Sequence, residues 1–258
     1  MLISSTMAQI ICIANQKGGV GKTTTSINLA AALAQIGKST LLVDCDPQAN
    51  ATTGIGIDKT TLKQNLYHGL IGDVDAKDLI HTTAVKGLSV IPARVELIGF
   101  EVEMMAHEGR ELVMRELLEE IKGDYDYIVI DCPPSLSLLT LNAMASADSI
   151  LVPLQSEFYA LEGLTQLIDT VKRIKASLNP PLRISGILLT MFDRRTNLSF
   201  QVAEEAEKHF NDLVFTTRIP RSVRLSEAPS YGEPIFMYDP SSVGAKSYLA
   251  LAQEVVER

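Results

Sequence analysis

Nothing in this chain restricts its fold more than the run Lys17-Gly18-Gly19-Val20-Gly21-Lys22-Thr23-Thr24. It follows an apolar stretch, Ile10–Ala14, with strand character. It opens a second stretch, Thr23–Ile36, which reads as a helix stopped by Gly37. A glycine-rich turn between strand and helix lets backbone N–H groups converge, because no Cβ blocks the approach, and the helix dipole adds positive potential at the same point. With the Gly-Lys-Thr ending, this is a phosphate-binding loop. Lys22 is placed to reach the β- and γ-phosphates of a nucleotide, and the Thr23 hydroxyl to ligate Mg2+. The other loop residues, Gly18, Gly19, Val20, Gly21 and Thr24, complete the cradle. One position departs from the usual pattern. Gln16 stands where a glycine is expected six residues before Lys22, and an additional lysine, Lys17, comes early in the loop.

The rest of the chain alternates short apolar runs with helical periodicity. Thr40–Asp44, Leu88–Ile91, Tyr127–Asp131, Ser149–Pro153 and Ile184–Thr190 read as strands, with Leu213–Phe215 as a further short one. Continuous apolar runs such as LLV and IVI describe strands covered on both faces, as in a parallel sheet between helix layers. Leu161, Leu164, Leu167, Ile168, Val171, Ile174 and Leu178 form a stripe at helical spacing that faces the sheet. The expected fold is α/β, a single doubly wound, mainly parallel sheet flanked by helices, spanning residues 1–258 as one domain. Residues 1–8 read as a flexible N-terminal extension without the features of a secretory signal. Lys59–Ala106 carries no chemistry that the residues name.

Two aspartates close apolar strands, where open α/β sheets put their ligands: Asp44 ends LLVD and Asp131 ends YIVID. A carboxylate there is costly to bury unless a cation or donors meet it. Both are therefore candidate magnesium residues with Thr23. Asp46, two residues beyond its strand, is placed to orient the attacking water. Each aspartate has an alternative role as a helix or turn cap. Pro133-Pro134 stiffens the loop after Asp131.

The net charge is -8, so affinity for any polyanion must come from a local patch. Arg194, Arg195, Arg218, Arg221 and Arg224 supply one late in the chain, and the planar guanidinium suits phosphate. Cys12, Cys45 and Cys132 have no metal-ligand spacing and read as buried reduced thiols in a cytosolic protein.

The blocks NQKGGVGKTTT, LLVDCDPQANAT, DYIVIDCPPSLSLLTLNA, EFYALEGLTQL and IPRSVRLSEAPSYGEPI resemble the ParA/MinD family of P-loop ATPases with a deviant Walker A loop (KGGxGK[TS]), most of all the chromosomal ParA (Soj) type. The resemblance runs from about Gln9 to the C-terminus. It implies ATP and Mg2+ as cofactors and an ATP-dependent homodimer in which Lys17 reaches the partner's nucleotide. It also implies non-specific DNA binding by that dimer, hydrolysis stimulated by a ParB-type centromere-binding protein, and a cytoplasmic, nucleoid-associated location. Carried over by motif, Lys17, Lys22 and Asp46 are the catalytic residues. Arg195, in FDRRTNL, and Arg224, in PRSVRLSEAP, match the DNA-binding arginines, and Pro220 and Arg221 are expected near the adenine. A MinD-type membrane cycle needs a basic amphipathic C-terminal helix, whereas Lys246–Arg258 sets Glu254 and Glu257 against two cations and lacks Phe and Trp. An iron–sulfur reductase with the same loop needs cysteines placed to hold a cluster, and none are recognisable. A nucleotide-dependent scaffold without turnover would differ only in its ATPase rate.

Overall fold

The computed structural model describes residues 7–157 and 160–258, the side chains of 160–162 excepted. Residues 1–6 of the expected extension, Phe158 and Tyr159 of the EFYALEGLTQL block, and the side chain of Leu161 lie outside the described residues.

The strands are β1 (Gln9–Ile13), β2 (Thr40–Asp44), β3 (His81–Thr82), β4 (Leu88–Ile91), β5 (Tyr127–Asp131), β6 (Ser149–Gln155) and β7 (Arg183–Thr190). The helices are α1 (Lys22–Gln35), α2 (Asn50–Gly54), α3 (Leu66–Leu70), α4 (Phe100–Glu103), α5 (Val113–Glu119), α6 (Leu138–Ser146), α7 (Ala160–Ser177), α8 (Asn197–Phe210), α9 (Val223–Glu227), α10 (Ile235–Tyr238) and α11 (Val243–Glu257). The strands form one seven-stranded sheet in the order β3-β4-β2-β5-β1-β6-β7. Every pairing is parallel except β3 with β4. From β1 the chain winds to one side and from β5 to the other, so the turn after β1 opens at the point where strand order reverses. That is where such sheets leave a crevice for ligand.

Alternation along the strands divides the core. In β1, Ile10 and Cys12 pack into one cluster with the inner faces of α5, α6 and α7, whereas Ile11 and Ile13 pack into another with α1 and α11. In β5, Ile128 and Ile130 face the first cluster and Val129 the second. Each such Ile or Leu contributes about 1.5–3 kcal/mol by leaving water, and both faces are needed to hold a sheet this apolar. The stripe on α7 lies as its spacing predicts: Leu164, Leu167, Val171 and Ile174 are buried, with Ile168 and Leu178 packed at the margin.

Helix α1 positions the site. Its alanine-rich middle lets it lie close to the sheet, and Tyr248 of α11, buried in the same cluster, meets Thr25 hydroxyl to hydroxyl at 3.3 Å. It stops where expected. Gly37 takes φ 88, and the Gly37 and Lys38 amides bond back to the Ala34 and Leu33 carbonyls, closing the last turn.

Two expectations need correction. Leu213–Phe215 is not a strand. Asn211–Leu213 is a 3-10 turn, and Val214 makes an isolated parallel bridge to Ile187, because the segment 214–221 only touches β7 at intervals. The antiparallel β3 carries no apolar alternation and was not expected; only its register against Ser89 and Val90 makes it a strand. Among the described residues, no helix is long and apolar enough to cross a membrane.

Candidate nucleotide site and an arginine-lined cavity

The loop after β1 is held from three sides. Asn15 donates to the Pro153 carbonyl at 2.8 Å and accepts from the Lys17 amide at 3.0 Å. Thr190, at the end of β7, donates to the Val20 carbonyl at 2.8 Å, and the Val20 side chain is buried. Gly19 and Gly21 adopt φ 75 and 87, the left-handed region that favours glycine. A Cβ on Gly18 or Gly19 would meet nothing within 4 Å, so both face open space. That open cradle, closed below by the start of α1, is the shape a chain of phosphates fills.

Lys22 is almost fully buried, with Nζ 3.1 Å from the Lys17 carbonyl. Burial lowers its pKa, and the negative charge of Asp131 is the largest effect opposing that. A cavity of about 650 Å3 opens above the loop, lined by Gly18, Gly19, Gly21, Lys22, Thr23 and Thr24, with Asp46, Gln48, Pro133, Pro134 and Ile98 on its other walls. Met191, which lines the cavity, and the buried Ala49, next to the lining residues Gln48 and Asn50, take φ 50 and 56 without being glycine, a strain that collects at ligand sites.

Asp44 and Asp131 are register partners at the ends of β2 and β5. Both are fully buried, but their surroundings differ. Asp44, expected with Asp131 at the metal, has both oxygens taken by protein donors instead: the Thr52 amide and hydroxyl reach Oδ2 at 2.7 and 2.6 Å, and the Asp46 amide reaches Oδ1 at 3.2 Å. Burial still pushes its pKa up to about 6 against those bonds. Asp131 accepts from the Ser26 hydroxyl at 2.8 Å through Oδ1, and its Oδ2 is buried with no partner. Burial, and next the Asp44 charge, push it up to about 8; Ser26 and Thr23 oppose this. An orphaned carboxylate oxygen beside Thr23 fits Mg2+, a cation that keeps several waters and takes only one or two protein ligands. Asp46 lines the cavity, with Oδ1 accepting from the Gln48 amide at 2.9 Å.

Lys17 does not line this cavity. Its ammonium lies 2.5 Å from Glu157, and the side chain is 40% exposed. Pro220 and Arg221 do not line it either. They stand with Arg194, Arg195, Arg218 and Arg224 around a second cavity of about 800 Å3, beneath the turn after β7 and beside Ser242 at the start of α11. Pro220 is tied to the exit of β7 by a bridge to Phe192. The arginines gathered from the sequence therefore do meet in one place.

The free thiols Cys12, Cys45 and Cys132 are buried, and Cys12 and Cys132 lie with their sulfurs 3.1 Å apart. Several residues of the site were missed in the sequence. Ser26 stands one turn beyond Lys22 on α1, a spacing that could have been read. Thr52 and Glu157 meet Asp44 and Lys17 only through the fold. Ile98, within the segment judged to be without chemistry, is 61% exposed on the rim of the nucleotide cavity.

A phosphate cradle, a buried loop lysine and a carboxylate with a bare oxygen, placed at the strand-order reversal of a parallel sheet, define a P-loop nucleotide-binding protein. The family described as an AAA domain matches residues 8–184. The sporulation initiation inhibitor protein Soj of Bacillus subtilis is 57% identical over 96% of this chain and 98% of its own length. The chromosome partitioning protein ParA of Myxococcus xanthus is 53% identical over 98% of this chain and 90% of its own. Among solved structures, cobyrinic acid a,c-diamide synthase from Mycobacterium smegmatis with bound ADP and magnesium is 34% identical, with a TM-score of 0.86, over 97% of this chain and 95% of that one. The chain belongs to the Soj/ParA family of P-loop chromosome-partitioning ATPases.

Proposed function

We propose that this chain is a partitioning ATPase whose ATP-bound homodimer holds DNA without sequence preference, and that a ParB-type partner stimulates hydrolysis and release. The whole of 1–258 acts as one unit, in the cytoplasm on the nucleoid. ATP occupies the cradle of Gly18–Thr24. Lys22 draws in the β- and γ-phosphates, Thr23 and Asp131 hold Mg2+, and Asp44, fixed by Thr52, keeps the neighbouring strand end anionic. Mg2+, when bound, neutralises charge on the phosphates. Asp46 orients the attacking water from the opposite wall of the cavity. Pro220 and Arg221 line the second cavity, which Met191 and Phe192 separate from the first, and border the base where it extends beyond Met191; Arg195 and Arg224 take DNA phosphates.

The observation that carries this reading is the position of Lys17. It belongs to the loop by sequence, yet it stands outside its own cavity on an exposed rim. A cation so placed has little to offer its own nucleotide. It suits a neighbour's, where it would stabilise charge on the phosphoryl group in transfer. The test is co-sedimentation with DNA in the presence of ATP, ADP or no nucleotide. Retention with ATP alone supports the switch; retention independent of nucleotide refutes it.

A further inference from the structure

The five arginines around the second cavity are not equally available. Arg194 and Arg221 make no ion pair among the described residues. Arg218 meets Glu207 at 2.8 Å and lies over the Phe192 ring. Arg224 meets Glu227 at 3.2 Å and Asp239 at 3.7 Å. Only Arg195 has its planar fork filled by one carboxylate: Nε donates to Asp193 Oδ1 at 2.9 Å and the terminal nitrogen to Oδ2 at 2.7 Å. Two carboxylate oxygens in that geometry make the same two parallel bonds that two phosphate oxygens would.

The two partners differ in freedom. Asp193 is fixed by its turn. Its amide donates to the Ser199 hydroxyl, its carbonyl accepts from Thr196, and Oδ1 also accepts from the Arg195 amide at 3.0 Å. The Arg195 side chain is 84% exposed and free to swing. The Arg195 bonds, helped by Arg221, hold the Asp193 carboxyl well below the usual range, so it stays an anion throughout the physiological window.

We propose that Asp193 is a built-in competitor for nucleic-acid phosphate: it occupies the Arg195 fork in place of a backbone phosphate, and Arg195 joins DNA only by exchanging one anion for the other. This rests on the reading of Arg195 as a DNA residue. The unpaired Arg194 is then the first cation of this group that DNA meets, and the Arg195 exchange follows. The exchange leaves Asp193 uncompensated beside a polyanion, which holds affinity down and keeps binding reversible.

The test is Asp193→Asn, which keeps the acceptor for the Arg195 amide and removes the charge. Binding of a fluorescent mixed-sequence DNA duplex is measured with ATP and Mg2+ across a salt series, in wild type, Asp193→Asn, Arg195→Ala and the double variant. The expected result is affinity roughly threefold to tenfold tighter in Asp193→Asn. The slope of log affinity against log salt steepens by about 0.9 per chain, one phosphate contact no longer traded for a carboxylate. In the Arg195→Ala background the gain disappears. If Asp193→Asn binds like wild type while Arg195→Ala weakens binding, this inference fails and the DNA reading stands. The same gain with and without Arg195 would also overturn it, since a change in net charge would then suffice. Absence of ATP-dependent DNA binding by the wild type would overturn the reading beneath it. Circular dichroism and ATP binding report whether each variant is folded; if the Asn variant is not, Asp193→Ser takes its place.

Discussion

Asp131 offers the sharpest quantitative test, because the fold buries its charge before any cation arrives. Its pKa of about 8 stands far above that of a free aspartate, about 3.9. The metal-free fold therefore binds more protons than the unfolded chain between those values. Its stability is fully present below about pH 4 and falls as pH rises through the window, with Asp44, raised to about 6, adding to the fall in the lower half. At pH 7 only about one chain in ten carries the Asp131 charge, so a ligand that requires the anion loses roughly 1.4 kcal/mol, a factor of about ten. Binding of magnesium with a non-hydrolysable ATP analogue should then release about one proton per site at pH 7, drawn from the coupled Asp44–Asp131 pair. The affinity should climb close to tenfold per pH unit below pH 7 and level off above about pH 8. Isothermal titration calorimetry in two buffers of different ionisation enthalpy counts the protons, and Asp131→Asn supplies the nucleotide's own titration for subtraction. The same proton count in wild type and Asp131→Asn would refute the reasoning, since the buried carboxyl would then not be the group that the ligand ionises.

Thr52→Val should cost about 2–4 kcal/mol in urea unfolding, because the Thr52 hydroxyl both donates to buried Asp44 and accepts from the Ala93 amide at 2.9 Å; a loss within about 0.5 kcal/mol would mean that the Asp44 environment is remade by water. Lys22→Ala should abolish ATP binding in a filter assay, since no other loop cation enters the cavity. Asp46→Ala should retain ATP binding and accumulate a DNA-bound dimer in co-sedimentation, and rapid turnover by that variant would remove Asp46 from the chemistry.

Much of the fold was legible because its signals are local. Strand β2 follows from the apolar run Leu41–Val43 closed by Asp44, buried on both faces, and the stop of α1 follows from one glycine. The phosphate loop was readable for the same reason, since its glycines and its Gly-Lys-Thr ending are contiguous, whereas the Pro153 and Thr190 contacts that hold it were not. What escaped depends on contacts across the chain. Ser26 with Asp131, Thr52 with Asp44 and Glu157 with Lys17 are pairs that only the folded sheet brings together. Strand β3 escaped because two residues carry no period. The arginines could be gathered from composition, but not their pairing with Asp193, Glu207 and Glu227, which decides how much of that charge is free.

The margins of the sheet bear on how such a chain can associate. At one side lies the two-residue antiparallel β3. At the other, β7 is bordered by the segment 214–221, whose Phe215 and Ile219 amides donate to the Ile187 and Leu189 carbonyls. Neither side presents the long row of unpaired backbone groups that templates strand addition. Edge-to-edge growth into fibres is thus discouraged at both ends. In the dimer proposed above, contact between copies falls instead at the crevice at the carboxyl ends of the strands, where a small ligand can make it and unmake it. If the proposed cycle of assembly and release holds, closed margins keep each round of association at the one face that the ligand controls.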